Sequence, residues 1–248
     1  MDLGTVIQPD LAVVPLFSSA TGGGLSHEGT AFFVNDDLLV TCAHCTVAIG
    51  QVMQFGVNEP VGAIPSPIAP MTTHPATVVA IDKGHDVALL RVAGFKPGCT
   101  LSLCPEGPIH TNQLVACHEH STTRRRGGTW AVSPASRLGN VTRVMPAEAY
   151  SGDFAADAIV LELSFPALRG ASGAPVMYCG SHMAFSVVGM VIGNIDIHLL
   201  PAQIHTVLDE KNQEIVETKY LLPQGVAIHA RHVRAAMNQV PCTPSGLP

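Results

Sequence analysis

Val40-Thr41-Cys42-Ala43-His44-Cys45, VTCAHC, admits two readings. Two cysteines and a histidine within four residues can be half of a zinc site. A histidine on the turn after a strand can equally be a catalytic base, with the cysteines filling space. The choice decides whether the chain is a metal-binding module or a hydrolase.

Outward from this stretch, DLLVTCA (37–43) is preceded by GTAFFV (29–34), and Asn35-Asp36-Asp37 between them supplies turn chemistry. The pair reads as a hairpin. Comparable runs recur as LAVVPLF (11–17), ATVVAI (76–81), DVALLRV (86–92), AIVLEL (158–163), APVMY (174–178), FSVVGMVIG (185–193) and GVAIHA (225–230). They are rich in Val, Ile and Phe and too short for independent helices, so they read as strands. Helical periodicity is convincing only in HARHVRAAMNQV (229–240), stopped by Pro241, while LLPAQIHTVLDEKNQEI (199–215) is ambiguous. Strands at this density form closed barrels or sandwiches, and CPEGPIHTNQ (104–113) is a plausible seam between two strand-rich halves.

Composition agrees with a packed globule of many short elements: 47% hydrophobic and 13% charged, with 23 glycines and 19 prolines among 248 residues. The formal net charge of -6 disfavours nucleic acid or an anionic membrane as a partner. Arg124-Arg125-Arg126 reads as a solvated loop tip. No apolar run reaches the length of a membrane span, and MDLGTVIQPDLAVVPLF is a poor signal peptide. With 7 scattered cysteines, an odd count, the expectation is reduced thiols in a cytoplasm.

Three segments carry chemistry together. His44 follows a strand, Asp86 in Gly84-His85-Asp86 opens another, and Ser172 sits between glycines in Arg169-Gly170-Ala171-Ser172-Gly173-Ala174-Pro175. Serine is a weak nucleophile at its free pKa and needs an imidazole to take its proton. A carboxylate must hold that imidazole in one tautomer. Glycines at the serine turn permit positive φ, so neighbouring N–H groups can converge on an oxyanion. His85 is expected to point away, since adjacent strand residues face opposite sides.

In the order His, Asp, Ser, the segments TCAHC, HDVALL and GASGAP resemble the three signature segments of the chymotrypsin/trypsin-like serine proteases. The chain is closest in character to short bacterial HtrA-type and other trypsin-like peptidases without a PDZ-type extension. The resemblance implies an all-β chain of two six-stranded antiparallel β-barrels with a short C-terminal helix. As one peptidase domain, the first barrel would span about 8–105, the second about 110–230 and the helix about 229–240. It implies a serine endopeptidase acting on protein or peptide substrates without a cofactor, with His44 as general base, Asp86 as its orienter and Ser172 as nucleophile. Gly170 and Ser172 would supply the oxyanion hole, and the strand at Val191, Ile192 and Gly193 would pair with the substrate backbone. Pro166 would floor the primary specificity pocket, Gly225 would form its wall and Arg169 its rim. With no acidic residue at that floor, a small or apolar side chain is expected there rather than Lys or Arg. Cys45 stands where relatives often carry half of a disulfide, but the facing SHEGTAFF has no cysteine. Few intracellular substrates and a regulating partner are the accompanying expectation.

Two other classes stand against this reading. A catalytically silent protease-fold scaffold would have no need of all three side chains. A zinc module would join Cys42, His44 and Cys45 to Cys117-His118-Glu119-His120, but that combination is not the usual C-x2-4-C plus H-x3-5-H spacing.

Overall fold

The computed structural model describes residues 9–19, 23–58, 60–61, 64–65, 71–105, 109–126, 128–151, 153–179, 186–198, 203–209, 212–218 and 221–240. Its first half contains β1 (Val13–Ser19), β2 (Leu25–Asn35), β3 (Leu38–Cys42), β4 (Val52–Asn58), β5 (Pro60–Val61), β6 (Ile64–Pro65), β7 (Met71–Asp82) and β8 (Val87–Val92). The second contains β9 (Leu114–Glu119), β10 (Arg124–Arg126), β11 (Thr129–Ala131), β12 (Ala135–Pro146), β13 (Ile159–Leu163), β14 (Pro175–Tyr178), β15 (Val187–His198), β16 (Gln203–Asp209), β17 (Asn212–Thr218) and β18 (Leu221–His229). The helix α1 (Ala230–Asn238) follows.

Two closed antiparallel barrels of six strands result, in the orders β1-β2-β3-β8-β7-β4 and β12-β13-β18-β15-β14-β9. Closure leaves no exposed sheet edge in either barrel. The expected hairpin is β2–β3, with Phe32 opposite Val40 and the Asp37 N–H donating to Asn35 Oδ1 at 3.0 Å. Its strand β3, LLVTC, is buried at every position, which is why it reads as an unbroken apolar run. The ambiguous stretch near 199–215 contains β16 and β17, paired as a two-stranded excursion between β15 and β18. Cys242 and His182 lie outside the described residues.

Phe33 and Phe55 meet edge to face at 5.6 Å in the first core, and Phe95 packs on both. A second cluster of Val115, Leu161, Leu163, Val176 and Val188 fills the other barrel. The helix buries Ala230, His232, Val233 and Ala236 against the barrels, and the Ile159 N–H donates to His232 Nε2 at 3.1 Å.

Candidate active site

The strand β3 ends in a 3₁₀ turn, Ala43–Cys45, and this turn delivers His44 to the surface. The Ala43 N–H donates to the Asp86 carbonyl at 3.1 Å, so the turn is tied to the residue that precedes β8. Asp86 then makes two further bonds with its side chain. Oδ1 accepts the His44 N–H at 2.9 Å, and Oδ2 lies 2.7 Å from His44 Nδ1. With Nδ1 bound to a carboxylate, the proton sits on that nitrogen and Nε2 faces outward as a base. The Asp86 carboxylate, first, and the Cys45 thiol raise the pKa of His44, while burial opposes them.

Asp86 holds φ at 53°, one of two non-glycine residues with positive φ among the described residues. Aspartate tolerates this region better than bulkier residues do. His85 faces elsewhere: its Nδ1 bonds Asp82 Oδ2 at 2.8 Å, its Nε2 lies 3.2 Å from Asp157 Oδ1, and its ring stacks on His232.

Ser172 comes from the second barrel and is held against the first. Its carbonyl accepts the Thr30 N–H at 2.8 Å. The glycines flanking its turn have φ of +94° at Gly170 and +87° at Gly173. Side chains are excluded there, since a Cβ on Gly173 would lie 2.0 Å from the Thr30 carbonyl. Among the described residues, neither the Gly170 nor the Ser172 N–H has an acceptor in the protein. Ala174 is not among the residues of positive φ, so its side chain is accommodated there without backbone strain. The His44 ring and the Ser172 hydroxyl make no direct hydrogen bond among the described residues. His44 and Asp86 are therefore joined directly, while Ser172 is anchored through its backbone to Thr30 of β2.

The remaining expected positions gather near this turn. The Val191 N–H donates to Ala174 and its carbonyl accepts from Gly173 and from Cys42 Sγ, so its backbone secures the serine turn. A bulge falls at Ile192, which lines a cleft of about 260 Å³ with His44, Lys83, Asp86, Tyr150 and Phe154. Gly193 lies under Tyr150, whose hydroxyl is 2.5 Å from where a Cβ would be. Gly225 donates to the Phe165 carbonyl at 2.7 Å, which puts it beside Pro166. Asn194 binds both the N–H and the carbonyl of Ala167 at 2.7 Å, fixing the segment between Pro166 and Arg169.

Sequence reasoning missed Thr30, Thr41 and Tyr150. Thr41 Oγ1 donates to the Thr30 carbonyl at 2.7 Å, and Thr30 Oγ1 donates to the Gly170 carbonyl at 2.7 Å. A buried threonine inside an apolar strand is the one available signal, since its hydroxyl must find a partner. The six described cysteines are free, and Cys45 Sγ bonds the Glu28 carbonyl at 3.4 Å, in the facing segment that lacks a cysteine. Burial pushes the Cys42 thiol well up, whereas the neighbouring Cys42 thiol, first, and His44 draw Cys45 down. The supposed second half of a zinc site is committed elsewhere: His118 to Ser136 and Asp10, and His120 to Thr123 and the Val13 carbonyl.

The family profile for the trypsin-like peptidase domain matches residues 29–190. None of the curated proteins matches the chain. An inactive form of the Rv3671c protease of Mycobacterium tuberculosis, a serine-to-alanine mutant, superposes with a TM-score of 0.57 at 18% identity, covering 95% of this chain and 91% of that one. The MamO protease domain of Magnetospirillum magneticum gives a TM-score of 0.55 at 15% identity, with 92% and 96% covered.

Proposed function

Because the chain belongs to the trypsin-like peptidases, we propose that it is a serine endopeptidase working through His44, Asp86 and Ser172. The observation that carries this is the 2.7 Å contact of His44 Nδ1 with Asp86 Oδ2, on the turn beside which the Thr30 N–H anchors Ser172. A substrate strand would enter alongside β15 near Ile192 and Gly193 and place its scissile carbonyl over Ser172. As Ser172 Oγ attacks, His44 Nε2 takes its proton, and the Asp86 carboxylate stabilises the imidazolium. The Gly170 and Ser172 N–H groups receive the oxyanion, a contribution of about 10²–10³ in rate for each donor. His44 returns the proton to the leaving amine, and water then hydrolyses the acyl-enzyme in the reverse sequence of transfers.

The pocket bounded by Pro166, Arg169 and Gly225 would take a small or apolar side chain. No acidic side chain among the described residues there supports a preference for Lys or Arg. A restricted set of protein substrates, a regulating partner and a cytoplasmic setting belong to the same reading.

The lack of a direct His44–Ser172 hydrogen bond favours a second reading, a silent scaffold. Substrate binding commonly tightens such contacts, so the geometry leaves Ser172 reactive in the proposed enzyme. A fluorophosphonate probe separates the two. The enzyme is labelled at Ser172 and loses both label and turnover in Ser172→Ala with its fold intact. A scaffold takes up no label, and that result overturns the proposal.

A further inference from the structure

Cys42 has no part in acyl transfer, yet it lies against the machinery that does. Its Sγ, a ring nitrogen of His44 and a carboxylate oxygen of Asp86 all fall within 4.8 Å of one another. We propose that these three side chains form a site for a thiophilic divalent cation, zinc by its chemistry, and that filling it silences His44.

The distances suit the ion. Bonds of about 2.0–2.3 Å in a tetrahedral site put ligand atoms roughly 3.5 Å apart, so closing the cluster needs movements of about 1 Å. A thiolate with an imidazole selects zinc over magnesium or calcium, which prefer oxygen ligands. Three protein ligands leave the fourth position to water. The His44 side chain is 48% exposed, which gives an ion entry from the cleft. The Cys42 thiol now donates to the Val191 carbonyl at 3.1 Å. On binding, Cys42 releases that proton to solvent, and the cation compensates the buried thiolate. If the ring enters as imidazolium, a second proton leaves from the metallated nitrogen.

Either ring nitrogen gives the same outcome. A cation on Nδ1 replaces the bond to Asp86 and reverses the tautomer. On Nε2 it occupies the lone pair that must accept the serine proton. The other cluster of three such groups among the described residues, His85, Asp157 and His232, offers no thiolate to favour zinc. His232 Nε2 already accepts the Ile159 N–H and faces Arg231 Nε, each at 3.1 Å. The zinc half-site read in VTCAHC thus needs no partner at 117–120, because the turn and Asp86 supply its ligands.

Binding stands apart from the peptidase reading, and only its consequence rests on it. The full chain, stripped with a chelator and kept reduced, is titrated with Zn²⁺ or Mg²⁺ during peptide hydrolysis. Zn²⁺ at micromolar levels should suppress turnover, and Mg²⁺ should not. Cys42→Ala should keep its metal-free turnover while needing at least the roughly 10- to 100-fold more Zn²⁺ for half-inhibition that loss of a ligand's supporting partner costs. Co²⁺ should give a near-ultraviolet thiolate charge-transfer band in the wild type and in Ser172→Ala, and none in Cys42→Ala. Should Cys42→Ala not fold, Cys42→Ser serves in both assays. Equal zinc sensitivity of wild type and variant, or absence of the cobalt band, overturns the site. A chain that hydrolyses nothing but shows the band loses the peptidase reading and keeps the site.

Discussion

The hydroxyl of Thr30, on β2 of the first barrel, donates to the carbonyl of Gly170 in the second at 2.7 Å. The same oxygen accepts the His120 N–H at 3.1 Å, and the Thr30 N–H holds the Ser172 carbonyl. One fully buried residue therefore fixes both ends of the glycine turn. Thr30→Val keeps the shape and removes the hydroxyl. It should cost about 1–3 kcal/mol of stability and lower kcat on the order of 10- to 100-fold, with KM little changed. Urea unfolding alongside steady-state kinetics checks this; unaltered kcat would mean that the turn holds without Thr30.

Asp86→Asn isolates charge from shape. Asparagine accepts a φ of 53° and can still receive the His44 N–H. It presents no negative charge to an imidazolium and can favour the wrong tautomer. The expected loss in kcat is about 10⁴-fold with the folded geometry retained. A loss below about tenfold would remove Asp86 from the proposed role.

Two glycines of nearly equal φ make a matched pair. At Gly50 (φ +85°) nothing lies within 4 Å of where a Cβ would stand, whereas at Gly173 (φ +87°) the Thr30 carbonyl would be 2.0 Å away and Thr41 Oγ1 2.4 Å away. Gly50→Ala should destabilise by about 1–2 kcal/mol through backbone strain alone. Gly173→Ala adds a clash with backbone and should lose about 3 kcal/mol or more, or fail to fold. Denaturation midpoints of the two variants test the difference, and equal values would contradict the packing at Gly173.

His120 is buried as a neutral ring, with Nε2 on the Val13 carbonyl at 3.1 Å and Nδ1 near Thr123 Oγ1. Burial lowers its pKa from 6.5 to about 3, against a raising contribution from Val13. The neighbouring titratable groups are His118, His27 and Asp10. The unfolded chain binds a proton near 6.5 that the folded one refuses until about 3, so stability falls as pH drops through that window. One such group contributes a slope of about 1.4 kcal/mol per pH unit. In urea midpoints measured against pH, His120→Gln should flatten the profile between those limits by about one proton. An unchanged slope would assign the acid sensitivity to other groups.

VTCAHC, GHDVALL and RGASGAP supplied the residues of the proposed site, because a base, an orienting carboxylate and a serine between glycines are types that acyl transfer demands. The strongly apolar strands were equally legible, being buried on both sides, as β3 and β8 are. β7 was legible only in its second half, ATVVAI (76–81), and β12 was hidden, because half-exposed strands such as MTTHPATVVAID and ASRLGNVTRVMP interleave polar residues and break the apolar run. Tertiary structure alone decided that Asp86 grips both the backbone and the ring of His44, that Thr30 bridges the barrels, and that Cys42 reaches Val191. These contacts join residues 42, 42, 140 and 149 positions apart. Local propensity acts over a few neighbours, whereas barrel closure and the packing of one barrel on the other set which distant atoms meet.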